Sequence, residues 1–249
     1  MITFLSTNGI TQIITFSELD SFGKDNDYKR NNWVKEQLSK LPSGFRLLDA
    51  GAGECQYKKY FSHLNYVSQD FCEYDGSGNN GLQTGQWNTT HIDIVSDITS
   101  IPEEDSSFDA ILCTEVFEHL ENPEMAIKEF SRLLKRGGVL IATAPFCSLT
   151  HFAPYHFATG FNVFWYQRIL SKYDFEITCC EANGNYYSYL AQELRRIPYV
   201  ASRYSGQSIS ISEEINIRKV IALLEKLDKS DTDSSESLCF GYHVVAQKV

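Results

Sequence analysis

The sequence predicts an α/β protein whose parallel sheet is covered by helices on both faces. Short apolar runs alternate along the chain with segments whose apolar residues recur every three or four positions. The apolar run at Leu47-Leu48 leads directly into the turn Asp49-Ala50-Gly51-Ala52-Gly53. Alternation of this kind builds doubly wound sheets, which bind ligands at the carboxyl ends of their strands.

The predicted elements follow one another in a regular order. The segment at 74–90 has four glycines and little periodicity, so a loop is expected there instead of a helix. Strands are predicted at Phe45–Asp49, Asn65–Phe71, His91–Val95, Ser107–Cys113, Val139–Thr143, Phe175–Cys180 and Leu238–Gln247. Helices are predicted at Tyr28–Leu41, Cys55–Leu64, Phe161–Leu170, Tyr186–Arg195 and Ser212–Leu227, with one more that starts at Asn122-Pro123 and ends at Gly137-Gly138.

The composition is that of a globular protein with one core. The 249 residues are 43% hydrophobic and 22% charged, and no run approaches the ~18 apolar residues of a membrane span. No basic segment precedes an apolar one near the N-terminus, so no signal peptide is expected. We therefore predict a single domain over residues 1–249 and no membrane span.

The net charge and the cysteine content indicate which binding partners and which cellular compartment to expect. The net charge of −10 disfavours nucleic acid as a partner, because affinity for phosphate backbones comes largely from lysine and arginine. The seven cysteines are an odd number without C-x-x-C spacing, which is typical of reduced thiols. A cytoplasmic location is the expectation that follows.

These segments together resemble a class I S-adenosylmethionine (SAM)-dependent methyltransferase. Four matches in order carry the resemblance, which covers roughly Trp33 to Leu170. They are Asp49-x-Gly51-x-Gly53, Asp70 after the second strand, Ser96-Asp97-Ile98 after the third, and Thr114-Glu115-Val116-Phe117-Glu118-His119 after the fourth. The Phe117-Glu118-His119 run is especially similar to the branch of the family that acts on small molecules.

The resemblance implies a Rossmann-like fold: a doubly wound, mostly parallel seven-stranded sheet with an antiparallel last strand. It also implies SAM as the cofactor. The single domain then divides into an N-terminal helical segment at 1–44, a SAM-binding core at 45–146, substrate-side or lid helices at 147–237, and the final strand at 238–249.

Roles for the turn and the second strand follow from the resemblance. The backbone of Ala50, Gly51, Ala52 and Gly53 would lie against the methionine part of the cofactor. Asp49 would orient its ammonium group, Asp70 would hold the ribose hydroxyls, and Phe71 would lie beside the adenine. Carboxylates are natural acceptors for hydroxyl and ammonium hydrogens.

The third and fourth strands would complete the cofactor site. By the same resemblance, Asp97 would accept the adenine amino group and Ile98 would pack against the ring. Thr114 and Glu115 would border the methionine and the reactive sulfonium.

The chain departs from the family pattern in two places. Residue 55 is Cys where many relatives carry a third glycine, and the helix after the second strand is replaced by the loop at 74–90. A dinucleotide-dependent NAD(P) oxidoreductase is the rival enzyme, but its fingerprint requires glycine at position 56, where this chain has Gln56.

Candidates for catalysis follow the fifth strand. Transfer of a methyl group to an oxygen or nitrogen atom is an in-line displacement, and a protonated acceptor needs a base. His151 and His156 are the candidate bases, and His119, His151 and Tyr155 are candidate substrate contacts. Both histidines lie in an aromatic segment, so packed or loop-fixing roles stay open for them.

No metal site is predicted, and the acceptor is left broad. The spacing of Glu115 and these histidines matches no established ligand pattern. Thr-Glu-Val-Phe after the fourth strand lacks the Asn/Asp-Pro-Pro-aromatic run expected of methyltransferases that act on base amino groups. A small-molecule acceptor, a sugar or another metabolite, is therefore expected. A non-catalytic SAM-binding scaffold remains the alternative to an enzyme.

Overall fold

The computed structural model describes residues 3–7, 10–14, 21–74, 76, 80–82 and 85–249. The chain separates into two compact units. One unit contains Met1–Lys29 and Gly184–Cys239, and the other contains Arg30–Asn183 and Phe240–Val249. The prediction of a single domain with four parts is not tested by this division and stays a prediction.

The larger unit is built on a seven-stranded sheet with the order β5-β4-β3-β6-β7-β9-β8. All strand pairs among β5, β4, β3, β6 and β7 are parallel, and β9 is antiparallel to both β7 and β8. The strands are β3 (Arg46–Ala50), β4 (Asn65–Asp70), β5 (Ile94–Val95), β6 (Phe108–Thr114), β7 (Leu134–Pro145), β8 (Phe175–Asn183) and β9 (Gly241–Lys248). The predicted α/β fold with an antiparallel last strand is confirmed.

The helices stand close to their predicted positions. They are α1 (Asn26–Ser39), α2 (Pro123–Leu133), α3 (Val163–Lys172), α4 (Tyr186–Val200) and α5 (Ile211–Asp228). Short 3-10 turns occur at Lys58–Tyr60, Phe117–His119 and Ser234–Glu236, and a π turn follows α4 at Ala201–Ser205. No helix among the described residues is long and apolar enough to span a bilayer.

The sheet is buried on both faces, as its apolar strands predict. Leu47 and Leu48 point to opposite faces of β3, and both are fully buried. One face packs against α1 and the segment after the glycine turn, in a cluster of Trp33, Val34, Leu38, Leu41, Leu47, Tyr57, Phe61, Leu64, Ala110, Leu112 and Ile141. A central strand that is covered on both faces holds the turn at its carboxyl end in one place.

The smaller unit has its own apolar contacts. Ala191 of α4 packs with Ile221 and Leu224 of α5, and partly buried aromatic and aliphatic side chains surround them. The N-terminal residues predicted as a helical segment also contain the hairpin of β1 (Thr3–Thr7) and β2 (Ile10–Ile14).

The predicted helix at Cys55–Leu64 is wrong. The segment forms successive turns and the single 3-10 turn at Lys58–Tyr60. Cys55 has a left-handed backbone with φ +54°, which an α-helix cannot contain. The apolar spacing that suggested a helix is satisfied by turns, because Tyr57, Phe61 and Leu64 are all buried.

The predicted end of α2 is also wrong. The helix ends at Leu133, and Gly137 and Gly138 lie inside β7. Lys135 lies beyond the helix, and its ammonium group pairs with Asp109 at 2.6 Å.

Candidate functional site

The glycine turn, Asp49–Gly53, joins the end of β3 to the end of β4. The N–H groups of Gly51 and Ala52 both donate to the Gln69 carbonyl at 2.9 Å. The N–H of Gly53 donates to Asp70 Oδ2, also at 2.9 Å. Every amide of the turn's tip is therefore bonded to β4, which fixes the turn against the next strand.

Both glycines are required by backbone conformation and by space. Gly51 and Gly53 have φ of +73° and +51°, where a Cβ is disfavoured. A Cβ on Gly51 would lie 2.5 Å from Val116 Cγ2, and one on Gly53 would lie 2.2 Å from Trp87 Cζ3. Side chains from two other segments thus approach the turn directly.

Asp49 is a buried carboxyl at the head of the turn. It is only 2% exposed, and the Tyr66 hydroxyl donates to its Oδ2 at 2.5 Å. Burial raises the pKa of Asp49 to about 7, while the Tyr66 hydrogen bond lowers it and the charge of Asp70 raises it further. Within the described part of the chain, no lysine or arginine pairs with this carboxyl.

Asp70 and Phe71 continue the edge at the end of β4. Asp70 is buried and also accepts from the Cys72 N–H at 2.9 Å. The Phe71 ring meets the Tyr155 ring edge-on, with centroids 5.1 Å apart. The residue predicted beside the adenine and a predicted substrate contact are therefore neighbours.

Asp97 and Ile98 follow β5 on the same edge. Asp97 is exposed, and its Oδ1 accepts from the Thr99 N–H at 2.7 Å and the Thr99 hydroxyl at 2.8 Å, whereas Ile98 is buried. The Gln69 side chain donates to the Ser96 carbonyl at 2.7 Å, which links this segment to β4.

Thr114 and Glu115 end β6. Glu115 has a left-handed φ of +55°, and its N–H donates to the Thr143 carbonyl at 2.9 Å. Its carboxylate accepts from the Thr143 hydroxyl at 2.9 Å and from Arg30 Nη1 at 3.1 Å. Arg30 therefore balances the charge of Glu115. The sequence did not predict this contact, because Arg30 lies in α1, 85 positions before Glu115 in the chain.

Three histidines come together beside these strand ends. The ring centroids of His119 and His151 are 4.8 Å apart, and those of His151 and His156 are 4.9 Å apart. Burial lowers the pKa of His119 to about 3, with a further contribution from His151. Burial and His151 also lower the pKa of His156. These histidines form the histidine cluster, which also includes Glu118.

Glu118 is the main residue that the sequence analysis missed. Its side chain is fully buried, and neither carboxyl oxygen has a hydrogen-bond partner among the residues that the structure describes. Burial and the charge of Glu115 raise its pKa well above the usual range. Its Oε1 lies 3.6 Å from His119 Nε2 and 3.8 Å from His151 Nε2. No local signal marks this residue in the sequence, because Glu115 and Glu121 lie three positions before and after it.

Aromatic rings connect the histidine cluster to the glycine turn. Phe152 contacts His119 with centroids 4.5 Å apart and lies 5.3 Å from Trp87, the ring that covers Gly53. Tyr74 stacks on Phe152 at 3.5 Å. Within the predicted loop at 74–90, residues 75, 77–79, 83 and 84 lie outside the described ones.

The structure thus assembles the predicted cofactor residues along one edge of the sheet. Gly53 and Asp70 touch directly, and Val116 brings the end of β6 against Gly51. The predicted catalytic and substrate residues His119, His151, Tyr155 and His156 form a second group next to it. Their individual roles stay predictions.

Comparisons with known proteins agree with this architecture. Residues 48–142 match the family model described as a methyltransferase domain. No curated protein matches the chain significantly in sequence.

Three solved structures share the fold. A SAM-dependent methyltransferase from Archaeoglobus fulgidus has 17% identity and a TM-score of 0.53, with 94% of this chain and 100% of that chain covered. A chain from the complex between the Haloferax volcanii Trm112 methyltransferase activator and a methyltransferase has 12% identity and a TM-score of 0.51. The match covers 93% of this chain and 96% of that chain. The [4+2]-cyclase SpnF has 18% identity and a TM-score of 0.50, with 86% and 79% covered.

The family match spans the glycine turn, the acids that follow β4 and β5, and the run that follows β6. The sheet order and the antiparallel β9 extend the same architecture beyond the matched residues. Residues 48–142 therefore match the methyltransferase-domain model, and the chain as a whole shares its fold with the solved SAM-dependent methyltransferase.

Proposed function

We propose that this protein binds SAM and transfers its methyl group to an oxygen or nitrogen atom of a small molecule. The observation that carries the proposal is the buried carboxyl of Asp49, which has no cationic partner within the described part of the chain. A carboxylate in that position is stabilised by a ligand ammonium group, and SAM has one on its methionine part.

The other proposed cofactor contacts are those that the family resemblance implies, and they involve residues at the strand ends. The turn backbone at 50–53 supports the methionine part, and Asp70 accepts from the ribose hydroxyls with Phe71 beside the adenine. Asp97 accepts from the adenine amino group and Ile98 packs on the ring, while Thr114 and Glu115 border the sulfonium. Arg30 holds the Glu115 carboxylate in one orientation at 3.1 Å.

The turn suits SAM better than a dinucleotide. A pyrophosphate is bound by the N-terminus of an α-helix that follows the glycine turn. Here the turn continues into further turns and a 3-10 turn of three residues, Lys58–Tyr60. SAM has no phosphate and does not need that helix terminus, so the NAD(P) alternative loses its main binding element.

The acceptor side is proposed to lie at the histidine cluster. A protonated acceptor has to lose its proton during transfer, and His151 and His156 are the proposed bases. Burial lowers the pKa of His156, which favours a neutral ring that can accept a proton. The net charge of −10 supports a small molecule over nucleic acid.

Calorimetry with SAM and with its demethylated product, S-adenosylhomocysteine, tests the cofactor. We expect saturable binding of either compound at 1:1 stoichiometry. If neither compound binds, the proposal is contradicted. Asp93 offers a control carboxylate for variants of the acids in the proposed site, because it accepts from Ser68 and has no proposed role in binding.

Turnover separates an enzyme from a scaffold. The fold also occurs in a [4+2]-cyclase, so SAM binding alone does not establish methyl transfer. Incubation with SAM carrying a labelled methyl group and a panel of hydroxylated and amino metabolites is expected to yield labelled product. SAM binding without label transfer to any acceptor favours the non-catalytic scaffold.

A further inference from the structure

Glu118 is the least satisfied polar group in the histidine cluster. Its carboxyl group is fully buried, and within the described part of the chain both oxygens lack a hydrogen-bond partner. A buried carboxyl without a partner costs free energy, because the water it leaves behind is not replaced. Such a group points to a missing ligand.

The two neighbouring histidines face Glu118 with the same kind of atom. The Tyr155 carbonyl lies 2.6 Å from His119 Nδ1, and the Leu149 carbonyl lies 2.9 Å from His151 Nδ1. A carbonyl oxygen only accepts, so each Nδ1 carries the hydrogen. The other ring nitrogen, Nε2, lies 3.6 Å from Glu118 Oε1 in His119 and 3.8 Å from it in His151.

Three possible ligand atoms, one carboxyl oxygen and two imidazole nitrogens, thus face one another. These ligand atoms of Glu118, His119 and His151 all lie within 4.8 Å of one another. Backbone carbonyls that hold the Nδ1–H groups are the usual supports of metal-binding histidines, since they fix the tautomer and the ring orientation. Bonds of about 2 Å to a shared ion require these three atoms to move closer together when the ion binds.

The main chain holds the two segments together. The N–H groups of Phe157 and Ala158 donate to the Glu118 carbonyl at 2.9 Å and 3.2 Å. The segment that contains His151 is therefore fastened to the 3-10 turn that contains Glu118 and His119, before any ligand binds.

We propose that Glu118, His119 and His151 bind one divalent first-row transition-metal ion, with Zn²⁺ the best match. Two imidazoles and one carboxylate suit Zn²⁺ and its neighbours, whereas Mg²⁺ and Ca²⁺ prefer ligand sets of oxygen alone. Three protein ligands leave a further coordination position open for water or an acceptor oxygen. This Glu118 site is independent of SAM and goes beyond the proposed function.

The metal changes the assignment of the base. In the loaded protein, His151 Nε2 is a ligand and cannot accept a proton. His156 is then the remaining histidine for that task, with its ring 4.9 Å from that of His151.

The test uses the full chain after treatment with a chelator and its removal. Calorimetry with Zn²⁺, in the absence of SAM, is expected to show one tight site per chain. Glu118→Gln, His119→Ala and His151→Ala should each weaken binding at least tenfold, while His91→Ala, at an exposed histidine, should leave it unchanged. Mg²⁺ is expected to bind far more weakly than Zn²⁺.

Two further measurements show whether the variants are folded and whether cysteine thiolates, instead of the proposed ligands, bind the metal. Circular dichroism establishes that each variant is folded, and the isosteric Glu118→Gln retains the side-chain shape. Co²⁺ loaded into the wild type should give visible absorption of a site with nitrogen and oxygen ligands. Absence of a Zn²⁺ site, equal binding by the three variants, or a Co²⁺ spectrum dominated by thiolate ligands would each overturn the proposal.

Discussion

The glycine turn and the histidine cluster satisfy their polar groups in opposite ways. At the turn, the amides of Gly51, Ala52 and Gly53 all have partners on β4. In the cluster, the buried Glu118 carboxyl has no hydrogen-bond partner among the described residues, and the Nε2 atoms of two histidines lie within 4 Å of it. The turn is complete as a protein structure and offers a surface to its ligand, whereas the cluster is completed only by a ligand.

The largest effect is expected from filling the space at the turn. Gly51→Ala places a Cβ 2.5 Å from Val116 Cγ2 at φ +73°, and the left-handed backbone alone costs about 1–2 kcal/mol. We expect SAM affinity to fall about a hundredfold, measured by calorimetry.

Gly44→Ala is the matched control for this change. Gly44 has φ +84° but open space around its Cβ position, so the variant bears the backbone strain without the clash. It should lower the melting temperature and retain SAM affinity. If both variants lost SAM affinity equally, the loss would come from backbone strain and not from the contact between the new Cβ and Val116.

The next largest effect is expected at Asp70. Asp70→Ala removes the acceptor of the Gly53 N–H and the proposed ribose ligand together. A hydrogen bond to a charged group contributes about 1.5–3 kcal/mol, so SAM affinity should fall roughly tenfold to a hundredfold. Asp93→Ala removes a carboxylate that similarly accepts from the Ser68 N–H at 2.9 Å, and it should reduce stability but not SAM affinity.

The turn also contains one buried carboxyl with a raised pKa, as the histidine cluster does. Asp49 is buried, and its pKa in the folded protein is about 7, against an ordinary value of 3.8. An acid with a raised pKa retains its proton in the folded state, so its contribution favours folding at low pH and is lost between about pH 4 and pH 7. The Tyr66 hydroxyl and the charge of Asp70 are the groups that adjust this value.

Binding of an ammonium group should require ionised Asp49. Between about pH 5 and 7 we therefore expect SAM affinity to rise with pH, by up to about tenfold per unit. Asp49→Asn should bind more weakly and show no such rise over the same range. A wild-type affinity that is independent of pH would place the ammonium group elsewhere.

A smaller effect with the opposite sign is expected in the cluster. Glu118→Met replaces an unpartnered buried carboxyl by an apolar side chain of similar length. In the presence of a chelator, we expect the free energy of unfolding to increase by about 1–3 kcal/mol, measured by urea titration. Destabilisation would instead show that the carboxyl is already satisfied in solution.

The smallest effect is expected at Cys55. Cys55→Gly relieves the left-handed conformation at φ +54° and should stabilise the protein by about 0.5–1 kcal/mol. Cys55→Ala retains the backbone strain and should give no such gain. Thermal unfolding of the two variants in parallel measures the difference.

The difference between the two regions explains what the sequence could predict. Asp49, the glycines and Asp70 occupy fixed places after strands, so a short local pattern is enough to find them. Glu118 and His151 belong to segments that meet only through tertiary contacts, and no local pattern reveals that Glu118 is buried. The helix predicted at Cys55–Leu64 was wrong for a related reason, because turns and a helix can bury the same apolar residues.

The ring of Trp87 makes the turn optically visible. The chain has three tryptophans, and among them Trp87 covers Gly53, while Trp33 packs on His243 and Trp165 packs on Phe117 and Phe161. We expect a ligand that lies on the turn to change the surroundings of the Trp87 indole, because this ring lies against Gly53. Intrinsic emission of the unlabelled protein should therefore report occupancy of the turn in real time, and Trp87→Phe should abolish that signal.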